Sequence, residues 1–216
     1  MLPIISFVGK SNSGKTTLLE SVIANLKGRG YRVGVIKHST EDVEFDTVNK
    51  DSWKFTRAGS AVSAIVSSNR LAVFKNLEHD PEPAELARFA CPDCDLVLTE
   101  GFKQSRNNKI EVHRREQGGG LLSPTEQLLA VVTDEALDAD VPQFTRDETG
   151  KIADLIEQRV LAQPPGDDLD LVVNDIPVPL KTPAQNLLAR SLVALISGAR
   201  GFKEMTSLRI TLRRRR

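Results

Sequence analysis

Ile4-Ile5-Ser6-Phe7-Val8 runs straight into Gly9-Lys10-Ser11-Asn12-Ser13-Gly14-Lys15-Thr16, and Thr17–Lys27 follows. The five-residue apolar run has the form of a strand buried on both faces. Beyond the loop, Leu18, Leu19, Val22, Ile23 and Leu26 recur at helical spacing on one face. Gly28 and Gly30 then supply a C-terminal stop. A strand, a glycine-bounded loop and a helix form the setting in which G-x-x-x-x-G-K-[ST] binds phosphate. Glycine at both ends lets the backbone turn tightly, so that successive N–H groups converge on one oxyanion beside the helix N-terminus. Lys15 is expected to reach the β- and γ-phosphates, and the Thr16 hydroxyl to ligate Mg²⁺. The expected nucleotide-binding set is Gly9, Lys10, Ser11, Asn12, Ser13, Gly14, Lys15, Thr16 and Thr17. Thr17 either adds a hydroxyl near the α-phosphate or caps the helix. Lys10 either leans over the phosphates, even those of a neighbouring subunit, or points into solvent.

Outward from the loop, Arg32–His38 reads as a second strand. The intervening helix predicts that it runs parallel to the first through a right-handed crossover. Glu41–Lys50 is polar and read as loop, and Asp51–Ala58 as a short helix capped by Asp51 or Ser52. Ala61–Ser67 and Leu71–Lys75 flank a tight turn and predict an antiparallel hairpin. Pro83–Ala90 reads as a helix with proline near its start. Asp95–Thr99, Ile110–His113 and Leu128–Thr133 are strand-like, and Gly118-Gly119-Gly120 marks a flexible loop between the last two. Thr149–Leu161 is an amphipathic helix with Ile152, Leu155, Ile156 and Val160 inward. Strands alternating with helices predict an α/β fold, a mostly parallel sheet flanked by helices. Residues 1–162 form this nucleotide-binding domain, 163–168 (Gln-Pro-Pro-Gly-Asp-Asp) a linker, and 169–216 a small β-β-α-β extension ending in a strand at Leu208–Leu212.

A magnesium-nucleotide site also needs an acid at the carboxyl end of a neighbouring parallel strand. Asp95-Leu96-Val97-Leu98-Thr99-Glu100-Gly101 offers one at each end, separated by about 16 Å of extended chain. Ligands lie at the carboxyl ends of such strands. Glu100 is therefore the expected magnesium-side and catalytic carboxylate, with Lys15 as its catalytic partner, and Asp95 lies at the far end. Gly101 permits close backbone approach. The alternative for Glu100 is an ordinary loop carboxylate. Asp46 is a second candidate metal-side acid, set against a solvated one, and His38 at the same edge is either a catalytic base or, more simply, a loop histidine. No Asn-Lys-x-Asp guanine reader is present. Thr133 and Asp134, after the last predicted parallel strand, hold the place where one would sit, and Asp147 competes with Asp134.

These segments together resemble the MobB family, the molybdopterin-guanine dinucleotide biosynthesis adaptor proteins. The resemblance is carried by GKSNSGKTTL at 9–18, VIKHSTEDVEFDTVNKDSWKFTRAGS at 35–60, LVLTEGFKQSRNNKIEVHRR at 96–115 and LLAVVTDEALDADVPQF at 128–144. The phosphate loop is shared by many families. Glu100-Gly101-Phe102-Lys103 followed by Lys109-Ile110-Glu111-Val112 is more particular, as is Lys50-Asp51-Ser52 followed by Arg57-Ala58-Gly59. The family often carries Pro-Gly where this chain has Val48-Asn49. The resemblance implies a GTP-binding protein with weak GTPase activity, dependent on Mg²⁺. Such a protein assists the molybdopterin guanylyltransferase that joins GMP to molybdopterin, and the family usually forms homodimers. A small-molecule kinase, with Arg106, Arg114 and Arg115 as lid cations, and a metallochaperone-type GTPase use the same loop and remain alternatives.

Composition sets outer bounds. Among 216 residues, 40% are apolar and 27% charged, as in an ordinary soluble domain. Lys+Arg and Asp+Glu are each 29, so a global pull toward nucleic acid or anionic membrane is not expected. No run approaches bilayer-spanning length, and the apolar start is too short for a signal peptide, which predicts a cytoplasmic protein. Cys91-Pro92-Asp93-Cys94 holds half a tetrahedral zinc site, a redox pair or, most simply, two small core residues. The terminal Arg213–Arg216 is expected to be a solvated tail. Leu187, Leu188, Leu192, Leu195 and Ile196 make a helical stripe suited to a core or a subunit interface.

Overall fold

The structure, a computed structural model, describes residues 2–39, 44–162, 171–173, 176–178 and 182–197. The expected linker at 163–168, the strand at Leu208–Leu212 and the arginine tail lie outside the described residues, as do position 40 and positions 41–43 of the Glu41–Lys50 loop. The chain divides into two compact units, Leu2–Gln163 and, apart from Met1, Pro164–Arg216.

The larger unit is a mostly parallel α/β sheet flanked by helices. β1 (Ile4–Gly9) leads through the glycine loop into α1 (Lys15–Gly28), then β2 (Val33–Lys37), α2 (Asp51–Arg57), β3 (Val62–Val66), β4 (Leu71–Lys75), α3 (Pro83–Ala90) and β5 (Leu96–Glu100). β6 (Asn108–Val112), β7 (Leu128–Val132), β8 (Gln143–Phe144) and α4 (Thr149–Ile156) complete it, and α4 continues as a π-helical turn over Glu157–Leu161. The main sheet has the order β2-β5-β1-β6-β7-β8 and every pairing in it is parallel. β1 and β2 are thus parallel, but β5 lies between them. All carboxyl ends lie along one edge, with the glycine loop at its centre.

The core lies between the sheet and the pair α1/α4. Leu18, Leu19, Val22 and Leu26 of α1 and Ile152, Ala153 and Ile156 of α4 are buried against Ile5, Phe7, Leu96, Leu98, Ile110 and Val112. Burial on this scale contributes about 25 cal/mol per Å² of apolar surface and is the main force holding the loop's two flanking elements together. On the opposite face α3 covers β2 and β5 with a smaller cluster of Ala87, Cys91 and Val97. α3 carries a full capping box, Glu82 with Glu85. Both cysteines pack on Gly34, where a Cβ would stand 2.6 Å from Cys91 Sγ and 3.2 Å from Cys94 Sγ. Burial and the neighbouring Cys94 push the Cys91 thiol up, which keeps it protonated and weakly nucleophilic. Cys91 is therefore placed as small core filler.

β3 and β4 form a separate two-stranded antiparallel sheet, with Val66 opposite Leu71. In the smaller unit, β9 (Leu171–Val173) pairs antiparallel with β10 (Ile176–Val178), and α5 spans Thr182–Ser197. Along α5, Leu187, Leu188 and Leu195 are exposed. Among the described residues, no helix is long and apolar enough to cross a membrane.

Candidate functional site

The loop from Gly9 to Gly14 takes backbone conformations that its sequence is suited to. Gly9 (φ 150°) and Gly14 (φ 88°) carry positive φ, and so does Asn12 (φ 61°), one of the few non-glycine types that tolerates it. A Cβ on Gly9 would stand 2.5 Å from the Val112 carbonyl oxygen, so β6 and the loop can approach only through glycine. Ser13 is fully buried and its Oγ has no partner among the described residues. The first-turn amides of α1 have no intrahelical acceptor, which leaves them free for an anion.

On the β5 side of the loop, Thr16 Oγ1 donates to Glu100 Oε2 at 2.9 Å, and Lys37 Nζ lies 3.4 Å from Glu100 Oε1. Glu100 pairs in register with Phe7 and with Lys37, so the strand runs one residue beyond its sequence reading and ends at this carboxylate. Asp95 lies at the opposite strand end, where it accepts hydrogen bonds from the Arg32 amide and guanidinium, and these hold its carboxyl below its ordinary range. Lys15 Nζ donates to the Lys10 carbonyl at 2.6 Å. Burial lowers its pKa, Glu100 counters the shift, and the Lys103 and Lys37 cations add to it. Three lysines crowding one carboxylate leave an excess of positive charge at the loop, the electrostatics an oxyanion would relieve. The Thr16–Glu100 hydrogen bond sets a hydroxyl and a carboxylate side by side at the edge of the loop, two oxygen types that Mg²⁺ takes as ligands.

Gly101 and Phe102 both have positive φ, 101° and 53°. A Cβ on Gly101 would stand 3.0 Å from the His38 carbonyl oxygen, the close approach that glycine permits. His38 stacks on Phe102 with ring centroids 4.5 Å apart, and its Nε2 lies 2.9 Å from Asp80 Oδ1. Asp46 turns inward on its own segment: its Oδ1 accepts from the Thr47 amide and the Ser52 hydroxyl, tying the loop to α2. Its Oδ2 is buried without a partner among the described residues. Asn49 takes φ 68°, the left-handed conformation that asparagine tolerates better than most side chains.

The β6 side is a set of struts that sequence reading missed. Lys10 Nζ, read from sequence as solvated or as reaching phosphate, donates to the Gln117 and Gly118 carbonyls at 2.9 and 2.6 Å. Gly118 has φ 57°, in the turn that carries these two carbonyls. Gln117 Nε2 donates to Ser11 O, and Arg114 Nε to Ser13 O. Arg114 Nη1 also reaches Asp134 Oδ2 at 3.0 Å, while Asp134 Oδ1 accepts from the Arg115 amide. That amide and Arg114 hold the Asp134 carboxyl below its ordinary range. Thr133 is buried and its hydroxyl closes a turn with the Glu135 backbone. The odd-numbered residues of the Lys109–His113 stretch form a buried polar row. Lys109 is bonded to Ser105 O and Gln127, Glu111 accepts from the Leu122 and Ser123 amides, and His113 Nε2 lies 2.9 Å from Glu135 Oε1. Period-two alternation was the available signal: three polar residues on one face of a buried strand must each be satisfied.

The family model described as molybdopterin guanine dinucleotide synthesis protein B matches residues 4–134, more than half of the chain. The chain belongs to the MobB family. It is 39% identical to the molybdopterin-guanine dinucleotide biosynthesis adapter protein of Haemophilus influenzae over 160 residues, which cover 72% of this chain and 88% of that one. The adapter protein of Escherichia coli K12 is 33% identical over 168 residues, covering 72% and 92%. The crystal structure of a molybdopterin-guanine biosynthesis protein B superposes with a TM-score of 0.55 at 31% identity, over 73% of this chain and 99% of that one. The glycine loop, Glu100 and the polar row of β6 all fall inside the MobB match. Gln143–Phe144, α4 and the smaller unit lie beyond it.

Proposed function

We propose that this chain is a GTP-binding adaptor in molybdopterin-guanine dinucleotide biosynthesis, with weak Mg²⁺-dependent GTPase activity. In this reading it acts on a molybdopterin guanylyltransferase and works as a homodimer in the cytoplasm. The observation that carries the nucleotide part is the Thr16–Glu100 pair at 2.9 Å beside a lysine-rich glycine loop. Gly9 to Thr17 would hold the phosphates and Thr16 and Glu100 the Mg²⁺. The bound ion would screen the phosphate charge, while Lys15 neutralises the β- and γ-oxygens. Glu100 is the carboxylate available to orient a water, and Asp46 Oδ2 is a further oxygen close in sequence to α2. A slow hydrolase does little metabolic work on its own, so the nucleotide more naturally orders loops that a partner reads. The adaptor part rests on family membership. The kinase alternative loses support because Arg114 is tied to Ser13 and Asp134, and the Arg115 amide also holds Asp134, which suits struts rather than a lid. The test is reconstitution. Added to guanylyltransferase, molybdopterin, GTP and Mg²⁺, the protein should raise the yield of guanine-dinucleotide cofactor, and a Lys15→Ala variant should not. No gain in yield, with no transferase captured in either the GTP or the GDP state, would refute the adaptor role.

A further inference from the structure

The triphosphate's γ-end and its metal belong to the β5 side of the loop, where Thr16 meets Glu100. β5 and β7/β8 flank β1 on opposite sides of the sheet. A nucleotide laid along the loop therefore carries its nucleoside over the carboxyl ends of β7 and β8. The groups at those ends are not equally available. Asp134 is committed to Arg114 and the Arg115 amide, and the Thr133 hydroxyl to its own turn. Arg146, two residues after β8, is different. Its guanidinium lies directly on the phosphate loop: a Cβ on Gly14 would stand 2.5 Å from Nη2 and 2.9 Å from Cζ. It is half-buried, yet among the described residues it has no carboxylate or hydrogen-bond partner. Its place is fixed from below. The Thr145 amide and hydroxyl both donate to Glu148 Oε2, and the Thr133 amide donates to the Phe144 carbonyl.

An arginine held against the loop with all its donors unspent is a recognition group awaiting acceptors. A purine presents that choice on one edge. Guanine offers two acceptors, O6 and N7, which match the guanidinium fork, whereas adenine replaces O6 with an amino donor. We propose that Arg146 is the guanine-selecting residue of the nucleotide site, donating to O6 and N7, and that Asp134 is a strut that holds Arg114 against Ser13. This deepens, and rests on, the reading of the loop as a triphosphate site.

The test is titration calorimetry with the Mg²⁺ complexes of GTP, ITP, ATP and tripolyphosphate. Wild type should prefer GTP and ITP to ATP, since inosine keeps O6 and N7 and lacks only the 2-amino group. Arg146→Ala should lose about tenfold for GTP and ITP, the effect of one bidentate base contact, with ATP and tripolyphosphate unchanged. Asp134→Asn should leave the GTP:ATP ratio as it is. An equal loss for all four ligands would make Arg146 a phosphate contact and overturn the proposal. So would a GTP:ATP ratio that survives Arg146→Ala, or a wild type with no preference among the bases. Wild type that binds neither tripolyphosphate nor any nucleotide would instead remove the phosphate site itself.

Discussion

Lys15 shows how much of the site depends on one side chain. Its ammonium is partly desolvated, repelled by Lys37 and Lys103, and held by Glu100 and the Lys10 carbonyl. A triphosphate would replace that carbonyl with anionic oxygens, so most of its binding energy toward nucleotide should appear on ligation. Lys15→Ala and Thr16→Ala are each expected to weaken Mg-GTP at least tenfold, about 1.4 kcal/mol, by calorimetry. An unchanged affinity in folded Lys15→Ala protein would remove the loop from the site. Glu100→Gln should slow hydrolysis or flatten its Mg²⁺ dependence. Asp95→Asn should leave both nearly intact, because Asp95 pairs with Arg32 at the other end of the strand. Equal losses in the two variants would contradict the strand direction as the reason for choosing Glu100. The loop was legible because its chemistry is local in sequence: fixed spacing, a strand before, a helix after. Glu100, 84 residues from Thr16, was legible from its place at the carboxyl end of a buried strand. Lys10, Arg114, Gln117 and Arg146 were not. Their partners lie 107 and 101 residues away for Lys10 and Arg114, and nothing local signals such a pairing.

At the scale of elements, periodicity located α1 and α4 well, and α3 falls on Pro83–Ala90, as the reading with proline near its start predicts. Strand order was not legible, since which buried strand inserts between β1 and β2 is a tertiary choice that apolar runs do not encode. β8 was missed because two residues carry no periodic signal, and with it went the loop that holds Arg146. That loop makes a prediction of its own. Glu148 accepts from Lys151 Nζ at 2.6 Å and from Thr145, and these bonds, Lys151 first, lower its carboxyl pKa to about 2. A depressed carboxylate stabilises the fold above the unfolded value of 4.5, and the contribution is lost as pH falls through about 2. Carboxyl NMR titration should give Glu148 a midpoint well below those of free glutamates. Lys151→Ala should raise it toward 4.5, and an ordinary midpoint in wild type would show that the Thr145–Glu148 clamp does not form in solution.

At the scale of the whole molecule, the β3–β4 hairpin leaves apolar side chains uncovered among the described residues. A lone two-stranded sheet is marginal in water. One side of this one is secured to α2, where the buried Ser63 hydroxyl donates to the Ser52 carbonyl. Elsewhere it presents Val62, Ile65, Val66, Leu71 and Val73 to solvent, with Val66 76% and Leu71 68% exposed. Apolar side chains clustered on one hairpin mark an interaction surface rather than scattered surface residues. Zero formal net charge leaves little long-range repulsion between copies of the chain. If the proposed homodimer forms, this hairpin is the face where a second copy is expected. Sedimentation equilibrium should give twice the 23.7 kDa of one chain. Val66→Lys with Leu71→Lys should shift the protein to monomer. Both side chains are already largely solvated within the chain, so circular dichroism and tripolyphosphate binding should be unaffected. A wild type that stays monomeric at micromolar concentration, or a double variant that stays dimeric, would place the dimer contact elsewhere or deny it. A double variant that dissociates and still binds GTP, yet no longer raises cofactor yield, would locate the adaptor's need for two copies in partner contact rather than in nucleotide binding.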